Sequence, residues 1–384
     1  MTSKLGVAIV GAGIGGLSAA LALGARGIDV TVFEEAEAPR EAGAGISIPP
    51  NAARLLKRTR LRDAIENITT RSQGLTLRRS QGEPVSRPGA PTPQSYQILR
   101  IELLDMLLSV TERKVRFGHR CIAVDETFTG ARLTFANGTF CDADVVIGAD
   151  GIHSIVQQAI GLTARPTSEG IIAYRGLVRS EKLPWSTELR GLNVWMGDGC
   201  SFICFPVSQG KLINIVAFVP TPRDMEETWF APGDVGTLAG KYKGWDAPVC
   251  NLIAALDQTF CWGIYDRPPF PYWSKGPVTL LGDAAHPMVP HFGQGAGQAI
   301  EDGFALAILL EHAGRDEIPE RLQAYQKLRL ERASRVQDAS RLAGQFYRSW
   351  SDDPSGQADR MRDWMSAAEW IFPYDAETAA LGLL

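Results

Sequence analysis

The sequence predicts an α/β protein: a three-layer domain on a mainly parallel sheet, interrupted by a mostly antiparallel β-region and closed by C-terminal helices. Three observations carry that expectation. Near the start, glycines in Gly-x-Gly-x-x-Gly spacing join a short apolar run to one rich in alanine and leucine. Between Tyr174 and about Phe270 the texture changes to short alternating stretches with accumulated tryptophans, namely Trp185, Trp195, Trp229, Trp245 and Trp262. A buried-strand pattern then returns at Val278–Leu281, followed by helical patterns.

The opening unit can be justified residue by residue. Gly6–Val10 is the kind of short apolar run that forms a buried parallel strand. Leu17–Ala25 reads as helix, with Gly27 placed to end it. Between them, Gly11 permits a tight turn, Gly13 lets a pyrophosphate approach the backbone, and Gly16 lets helix and strand pack closely. The free N–H groups and positive dipole end of that helix suit phosphates. Asp29–Phe33 supplies the next strand, and Glu34 stands at its end, where a carboxylate accepts hydrogen bonds from an adenosine ribose. Glu35 is adjacent and open to the same role, with Glu34 preferred. This is a Rossmann-like, dinucleotide-binding beginning.

Further along, a strand near Leu75–Arg79 and a helix from about Ile101 flank a proline-rich loop at residues 85–95. Asn137-Gly138, between Arg132–Phe135 and Thr139–Cys141, signals a hairpin because both turn residues tolerate positive φ. Ala143–Ile147 is another buried-strand run, ending at Asp150-Gly151. Phe202–Val207 and Leu212–Val219 read as sheet. A helix is expected from about Gly297 to Leu310, one long helix over Pro319–Phe346, and a shorter one after it. The implied organisation is a discontinuous dinucleotide-binding domain (residues 1–70, 96–170 and 275–345), a β-rich substrate domain (71–95 and 171–274) and a C-terminal helical segment (346–384).

Composition sets limits. The 384 residues are 45% hydrophobic and 21% charged, ordinary for a globular protein with a large core. A net charge of −4 offers no sequence-wide basic field for nucleic acid or acidic lipid. The cluster Lys57-Arg58-Thr59-Arg60-Leu61-Arg62 reads as a solvated helix face. No run approaches eighteen uninterrupted apolar residues, so no integral membrane segment is expected. The cysteines, Cys121, Cys141, Cys200, Cys204, Cys250 and Cys261, lack Cys-x-x-Cys spacing. None lies near the first turn, which argues against a disulfide reductase; Cys200 and Cys204 could meet across a hairpin, but reduced thiols in a cytoplasmic protein are expected. No histidine has metal-ligand spacing to a cysteine, so no metal site is expected.

Several motifs occur together and in order: Gly11-Ala12-Gly13-Ile14-Gly15-Gly16, Gly43-Ala44-Gly45-Ile46, Pro50-Asn51-Ala52, Arg100 with Leu103, Gly148-Ala149-Asp150-Gly151-Ile152-His153-Ser154, and Leu281-Gly282-Asp283-Ala284-Ala285-His286-Pro287-Met288. Gly293-Gln294-Gly295-Ala296-Gly297 follows the last. From about Val7 to Arg335 the chain resembles the single-component FAD-dependent aromatic hydroxylases, and within them the salicylate, 3-hydroxybenzoate and 6-hydroxynicotinate hydroxylase branch.

The resemblance implies roles at matching positions. Arg100 would lie against the FAD phosphates, Asp150-Gly151 where phosphates of FAD and the nicotinamide cofactor pass, and Asp283 at the ribityl chain. Gly295 and Ala296, opening a helix, would aim N–H groups at the pyrimidine edge of the isoalloxazine, where a helix N-terminus favours the anion of a reduced flavin. One departure stands out: the family usually carries arginine where this chain has Gln157. Phosphate or nicotinamide contacts would then be weaker, or be met by Arg40 or Arg54.

The implied chemistry is that of the cofactor. NAD(P)H would reduce the flavin, dioxygen would add at carbon 4a to give a hydroperoxide, and a phenolic or N-heteroaromatic ring would attack the distal oxygen, with or without decarboxylation. The acidic run Glu34-Glu35-Ala36-Glu37 leans to NADH over NADPH, since it disfavours a 2′-phosphate. Deprotonating the ring hydroxyl calls for a base. His119 and His312 read as surface residues and His153 and His286 as structural, leaving His291 as base or substrate anchor. Gln294 would position the substrate hydroxyl or a water, and Tyr174 would relay a proton. Tyr96 would reach the substrate pocket, and Arg175 would pair with a substrate carboxylate. The implied partners are a small aromatic molecule, NAD(P)H and dioxygen, the protein being a cytoplasmic monomer or homodimer. Other readings stay open: an oxidase or epoxidase on a non-phenolic substrate, and a FAD-binding redox sensor without turnover. A flavin halogenase lacks its Trp-x-Trp-x-Ile-Pro segment here.

Overall fold

The computed structural model describes residues 5–38, 44–85, 94–163, 165–197, 199–221, 231–348 and 354–384, with only backbone for 354–358. Gly43, Arg40, Trp229 and most of the proline-rich loop lie outside the described residues.

The first motif folds as its residues dictate. Gly6–Val10 runs parallel to Asp29–Phe33 on one side and to Val145–Gly148 on the other. The full sheet has the order Ser274–Lys275, Val278–Leu280, Val145–Gly148, Gly6–Val10, Asp29–Phe33, Val115–Arg116. Its central strands are buried on both faces, which explains their unbroken apolar runs. Helix Ile14–Ala25 packs on helix Gly295–Leu310. A side chain at Gly303 would strike Ala19, so the two backbones meet closely. Gly11, Glu34, Asp150 and the Gly282–Ala284 turn follow the C-terminal ends of four parallel strands. Such sheets bind ligands at that edge.

The second large sheet has the order Ala231–Gly233, Thr259–Asp266, Thr167–Arg179, Leu212–Pro220, Ser201–Val207, Leu192–Met196, Leu75–Arg79. It is antiparallel except at its last pair, where Leu75–Arg79 runs parallel to Leu192–Met196. The two-residue period splits each strand between two cores. Ile172, Tyr174, Trp195, Phe202 and Ile215 pack outward with residues of helices Val235–Lys241 and Ala247–Ala254. Ala173, Val194, Ile203, Phe205, Val216 and Phe218 face inward, in one cluster with Phe346 and Tyr347 of helix Ile318–Arg348. Trp185, Trp195 and Trp245 belong to the outer core, so most of these tryptophans fill packing space.

Element boundaries moved in informative ways. The expected helix at Ile101 begins at Arg100, and the one expected at Gly297 begins at Gly295. The expected hairpin joins Ala131–Phe135 to Phe140–Ala143, with Gly138 at φ +82°. Past the long helix there are two further helices, Pro354–Ile371 and Ala376–Leu381, where one was expected. Pro373 separates them, lacking the N–H to carry one helix through.

Candidate active site

A cavity of about 1010 Å³ opens between the C-terminal edge of the parallel sheet and the inner face of the second sheet. Gly11, Gly13, Glu34, Glu35, Arg100, Asp150, Gly151, Asp283, Gly295 and Ala296 all line it, as do Arg175, His291 and Gln294. Residues as far apart in the chain as Gly11 and Ala296 are gathered by the topology alone.

One end is built from backbone. Gly11 sits at φ +103°, and a Cβ there would lie 2.4 Å from the carbonyl oxygen of Ala149. A Cβ on Gly16 would lie 2.0 Å from the Gly11 carbonyl oxygen, so this glycine serves packing behind the cavity. Gly13 faces open space. Helix Ile14–Ala25 has no side-chain cap and no acid in its first turn, leaving its N–H groups to a ligand. Glu34 accepts from the Ala12 N–H at 2.8 Å and the Ala36 N–H at 2.9 Å, which fixes its carboxylate beside the glycine turn. Glu35 is exposed.

Acids and Arg100 occupy the middle. Asp150 accepts from Ser154 Oγ at 2.5 Å and the Ile155 N–H at 2.7 Å; burial nevertheless raises its affinity for a proton. Burial raises Asp283 likewise, against the pull of His286, Arg100 and Arg267. The Arg100 guanidinium is pushed the other way by burial, with Asp283 opposing. Gln157 is buried and donates to the Ala284 carbonyl at 2.9 Å, tying the Asp150 segment to the Asp283 turn. Arg54 does not take the place of the missing arginine: it donates to the carbonyls of Pro373 and Tyr374.

Helix Gly295–Leu310 also starts without a side-chain cap, directly after the left-handed Gly293 at φ +65°. A buried polar network holds this start. Asn51 donates to Glu301 at 2.6 Å and to Gln294 Oε1 at 3.2 Å, and Gln298 donates to the same oxygen at 3.3 Å. A carboxylate accepts only, so Asn51 must present its NH₂, and Gln294 must then present its oxygen to Asn51. That leaves Gln294 Nε2 without a protein partner. Arg329 bonds Glu301 at 2.5 Å and Asp302 at 2.8 Å, all three fully buried, and Arg332 bonds Glu301 at 2.8 Å. Asp302 in turn holds His286 at 2.5 Å and the Gly282 N–H at 3.0 Å.

The other end is built from side chains. Leu192, Ile203, Phe205, Val216 and Phe218 of the inner sheet face meet Tyr347, Trp364 and Phe372. Arg175 lies over the Trp262 ring at 4.2 Å, and its Nε has no hydrogen-bond partner. Burial and Arg100 both press against its charge. His291 is 5% exposed, 4.5 Å from the Phe218 ring, with Nε2 2.8 Å from Arg348. Burial first, then Arg348, holds this imidazole well below its usual basicity. Of the two roles expected of it, base and anchor, this environment opposes the base.

Three expectations need correction. Tyr174 precedes Arg175 on one strand and so points to the opposite face, into the outer core. It does not line the cavity. Tyr96 is 2% exposed and packs in the first domain's core, its hydroxyl bonded to Lys57 at 2.9 Å and Glu66 at 3.0 Å. Its neighbour Ser95 reaches the cavity instead. His119, expected at the surface, is half-buried against Phe33 and Phe135 and lines the cavity beside Glu34. The inner-face residues of the second sheet, Tyr347, Trp364 and Arg348 were not expected as site residues. Only the alternation along Phe202–Val207 and Leu212–Val219 held a signal for any of them, and it left open which face looks inward.

Residues 4–340 match the family model described as FAD binding domain, and the chain belongs to that family. It is a flavoprotein oxidoreductase, an FAD-dependent monooxygenase of the aromatic hydroxylase type. It is 40% identical to a 3-amino-4-hydroxybenzoate 2-monooxygenase of Streptomyces platensis, over 96% of both chains. It is 31% identical to the salicylate hydroxylase of Pseudomonas putida, covering 98% of this chain and 94% of that one. A solved salicylate hydroxylase substrate complex superposes with a TM-score of 0.86 at 29% identity, covering 100% of this chain and 98% of that one. Among the described residues no helix is long and apolar enough to cross a membrane.

The residues present fit FAD. Gly13 offers space that a Cβ would fill, and two uncapped helix starts and Arg100 suit phosphate and an anionic ring.

Proposed function

We propose that this enzyme hydroxylates a phenolic carboxylic acid, a hydroxybenzoate or a hydroxypyridine acid, using NAD(P)H and dioxygen, with NADH preferred. The observation that carries the reading is Arg175: a cation beside the apolar inner sheet face of the cavity, seated on an indole, its Nε unpaired. Such a group wants a carboxylate, and a pocket of Ile203, Phe205, Val216 and Phe218 wants a flat ring. Relatives named for 3-amino-4-hydroxybenzoate, salicylate and 6-hydroxynicotinate support this, since each name denotes an aromatic acid bearing a ring hydroxyl.

In this reading Gly11, Gly13, Glu34, Arg100, Asp150, Gly151 and Asp283 hold FAD, and Gly295 and Ala296 direct N–H groups at its ring. Bound FAD supplies the redox chemistry, accepting reducing equivalents from NAD(P)H and activating dioxygen. Arg175 orients the acid group, Gln294 donates to a substrate oxygen, and Tyr347, Trp364 and Phe372 exclude water. The FAD-binding residues are carried on residues 1–70, 96–170 and 275–345, and the ring wall chiefly on 171–274.

The test is a panel on purified, flavin-loaded protein. 3-Amino-4-hydroxybenzoate, salicylate and 6-hydroxynicotinate are each assayed for stimulated NADH and NADPH oxidation, oxygen uptake and product mass. A gain of one oxygen atom, with or without loss of carbon dioxide, is expected for at least one acid. Oxidation that yields only hydrogen peroxide with every acid, or none at all, refutes the reading.

A further inference from the structure

We infer that Arg348 is a positioning residue that locks His291 in the neutral tautomer with its proton on Nδ1, making the imidazole a fixed hydrogen-bond donor to substrate rather than a base. This deepens the proposed function and rests on it only for the identity of the ligand.

A guanidinium has N–H donors and no acceptor. His291 Nε2 lies 2.8 Å from Arg348 Nη1, so Nε2 must be the acceptor and cannot carry a proton. A neutral imidazole has one N–H, which therefore sits on Nδ1. That atom is buried and has no protein partner, in a side chain that lines the cavity. Protonating His291 would require a hydrogen on Nε2, pointed at a cation.

The arrangement is built in from several elements. Arg348 is held from its far side by Glu169, at 3.2 Å, on strand Thr167–Arg179. Its carbonyl accepts from the Gly199 N–H at 2.8 Å. Gly344, one turn earlier on the same helix, lets the ring approach: a Cβ there would lie 2.3 Å from His291 Cδ2. Phe218 closes the opposite face with an apolar ring. Among the described residues, the charged groups bearing on the imidazole are Arg348 and, behind it, Glu169; Tyr347 and Gln294 are the other polar side chains of that wall.

A fixed Nδ1–H has consequences for specificity. It sits well with the free NH₂ of Gln294 and the guanidinium of Arg175, since all three are donors. A ligand there must offer oxygen anions or lone pairs. Substrates that present an N–H or ammonium to this wall are rejected because two donors would face each other.

The tautomer is read directly by nitrogen NMR on histidine-labelled holoenzyme without substrate, with His291→Asn used to assign the signal. Protonated Nδ1 and bare Nε2 are expected; a proton on Nε2 overturns the inference whatever the substrate proves to be. The lock is read in the same spectra and by substrate binding against pH, from the change in bound-flavin absorbance. Wild type and Arg348→Lys, which keeps a donor, should show the single tautomer and bind without a histidine inflection. Arg348→Met removes the cation but not the burial, so the ring should stay neutral while its nitrogen spectrum shows both tautomers. A spectrum of Arg348→Met with protonated Nδ1 alone would also sink the lock. If no aromatic acid binds, the proposed function fails while the NMR result still decides the tautomer.

Discussion

On one side of the cavity the lining is main chain, on the other it is side chain. Gly11, Gly13, Gly293 and Gly295 present peptide groups and empty space, whereas Ile203, Phe205, Val216 and Phe218 present bulk. In the proposed reading the glycine side serves FAD, whose phosphates and ring are the same in every enzyme that uses it. In that reading the other side serves the substrate, and the relatives' names denote differently substituted rings. A fold can thus keep a backbone-built wall for its cofactor while side chains on the facing wall set the substrate.

The comparison breaks most severely at Gly16. An added Cβ there would overlap the Gly11 carbonyl at 2.0 Å, so the glycine turn must move. Gly16→Ala is expected to weaken FAD retention by ~100-fold or more, about 3 kcal/mol, and to purify nearly colourless. Flavin absorbance per protein, with circular dichroism to confirm folding, checks this. Full flavin content would show that the turn is not the cradle.

Between the two walls runs the buried ionic network, and Arg329 is its keystone. Arg329→Met leaves Glu301 and Asp302 buried with fewer partners and is expected to cost about 3–5 kcal/mol, measured by urea unfolding. The same network sets an acid limit. Although burial opposes it, interactions with His286 and Arg329 depress the Asp302 carboxyl to about 2, below its ordinary 3.8. A group depressed on folding stabilises above its unfolded pKa and loses that stabilisation as pH falls through its folded one. The wild type should therefore lose on the order of 2 kcal/mol between pH ~4 and pH ~2 from this residue. Asp302→Asn should be less stable at neutral pH and show a shallower decline over that window.

These two tests also mark what the sequence made legible. The glycine wall could be read because a backbone requirement leaves a residue signature: Gly11 and Gly16 are where any Cβ collides, and Glu34 is at a fixed remove from them. Asp150 and Asp283 were legible as cavity residues for a similar reason, each in a strand-end turn. The second wall left no such mark. Arg175 and Tyr174 are neighbours that read as equally good candidates, and only the sheet's orientation sends one into the cavity and the other away. Tyr96 was misplaced for the same reason. Arg348 and Trp364 come from C-terminal helices whose path over the site depends on tertiary packing, which no local pattern encodes.

The variable wall is probed by Arg175. Replacing it with leucine removes a charge-assisted contact worth about 1.5–3 kcal/mol, so KM for the acid should rise roughly 10- to 150-fold. Flavin content should hold, because the backbone wall is untouched. An unchanged KM would mean that the carboxylate is met elsewhere and that Arg175 stays for its stacking on Trp262.

The smallest expected effect is the most discriminating for the boundary between the walls. Tyr174 lies on the same strand as Arg175, one residue earlier, with its ring in the outer core. Burial raises its hydroxyl above the usual phenol range, with Cys261 and Asp234 adding to the shift. A proton relay would need the opposite shift and a place beside the substrate. Tyr174→Phe should accordingly change kcat/KM by less than about twofold and stability by no more than about 0.5–1 kcal/mol. A loss of tenfold or more, confined to kcat and varying with pH, would mean that this strand turns over when substrate binds, and the division between cavity face and outer face would have to be redrawn.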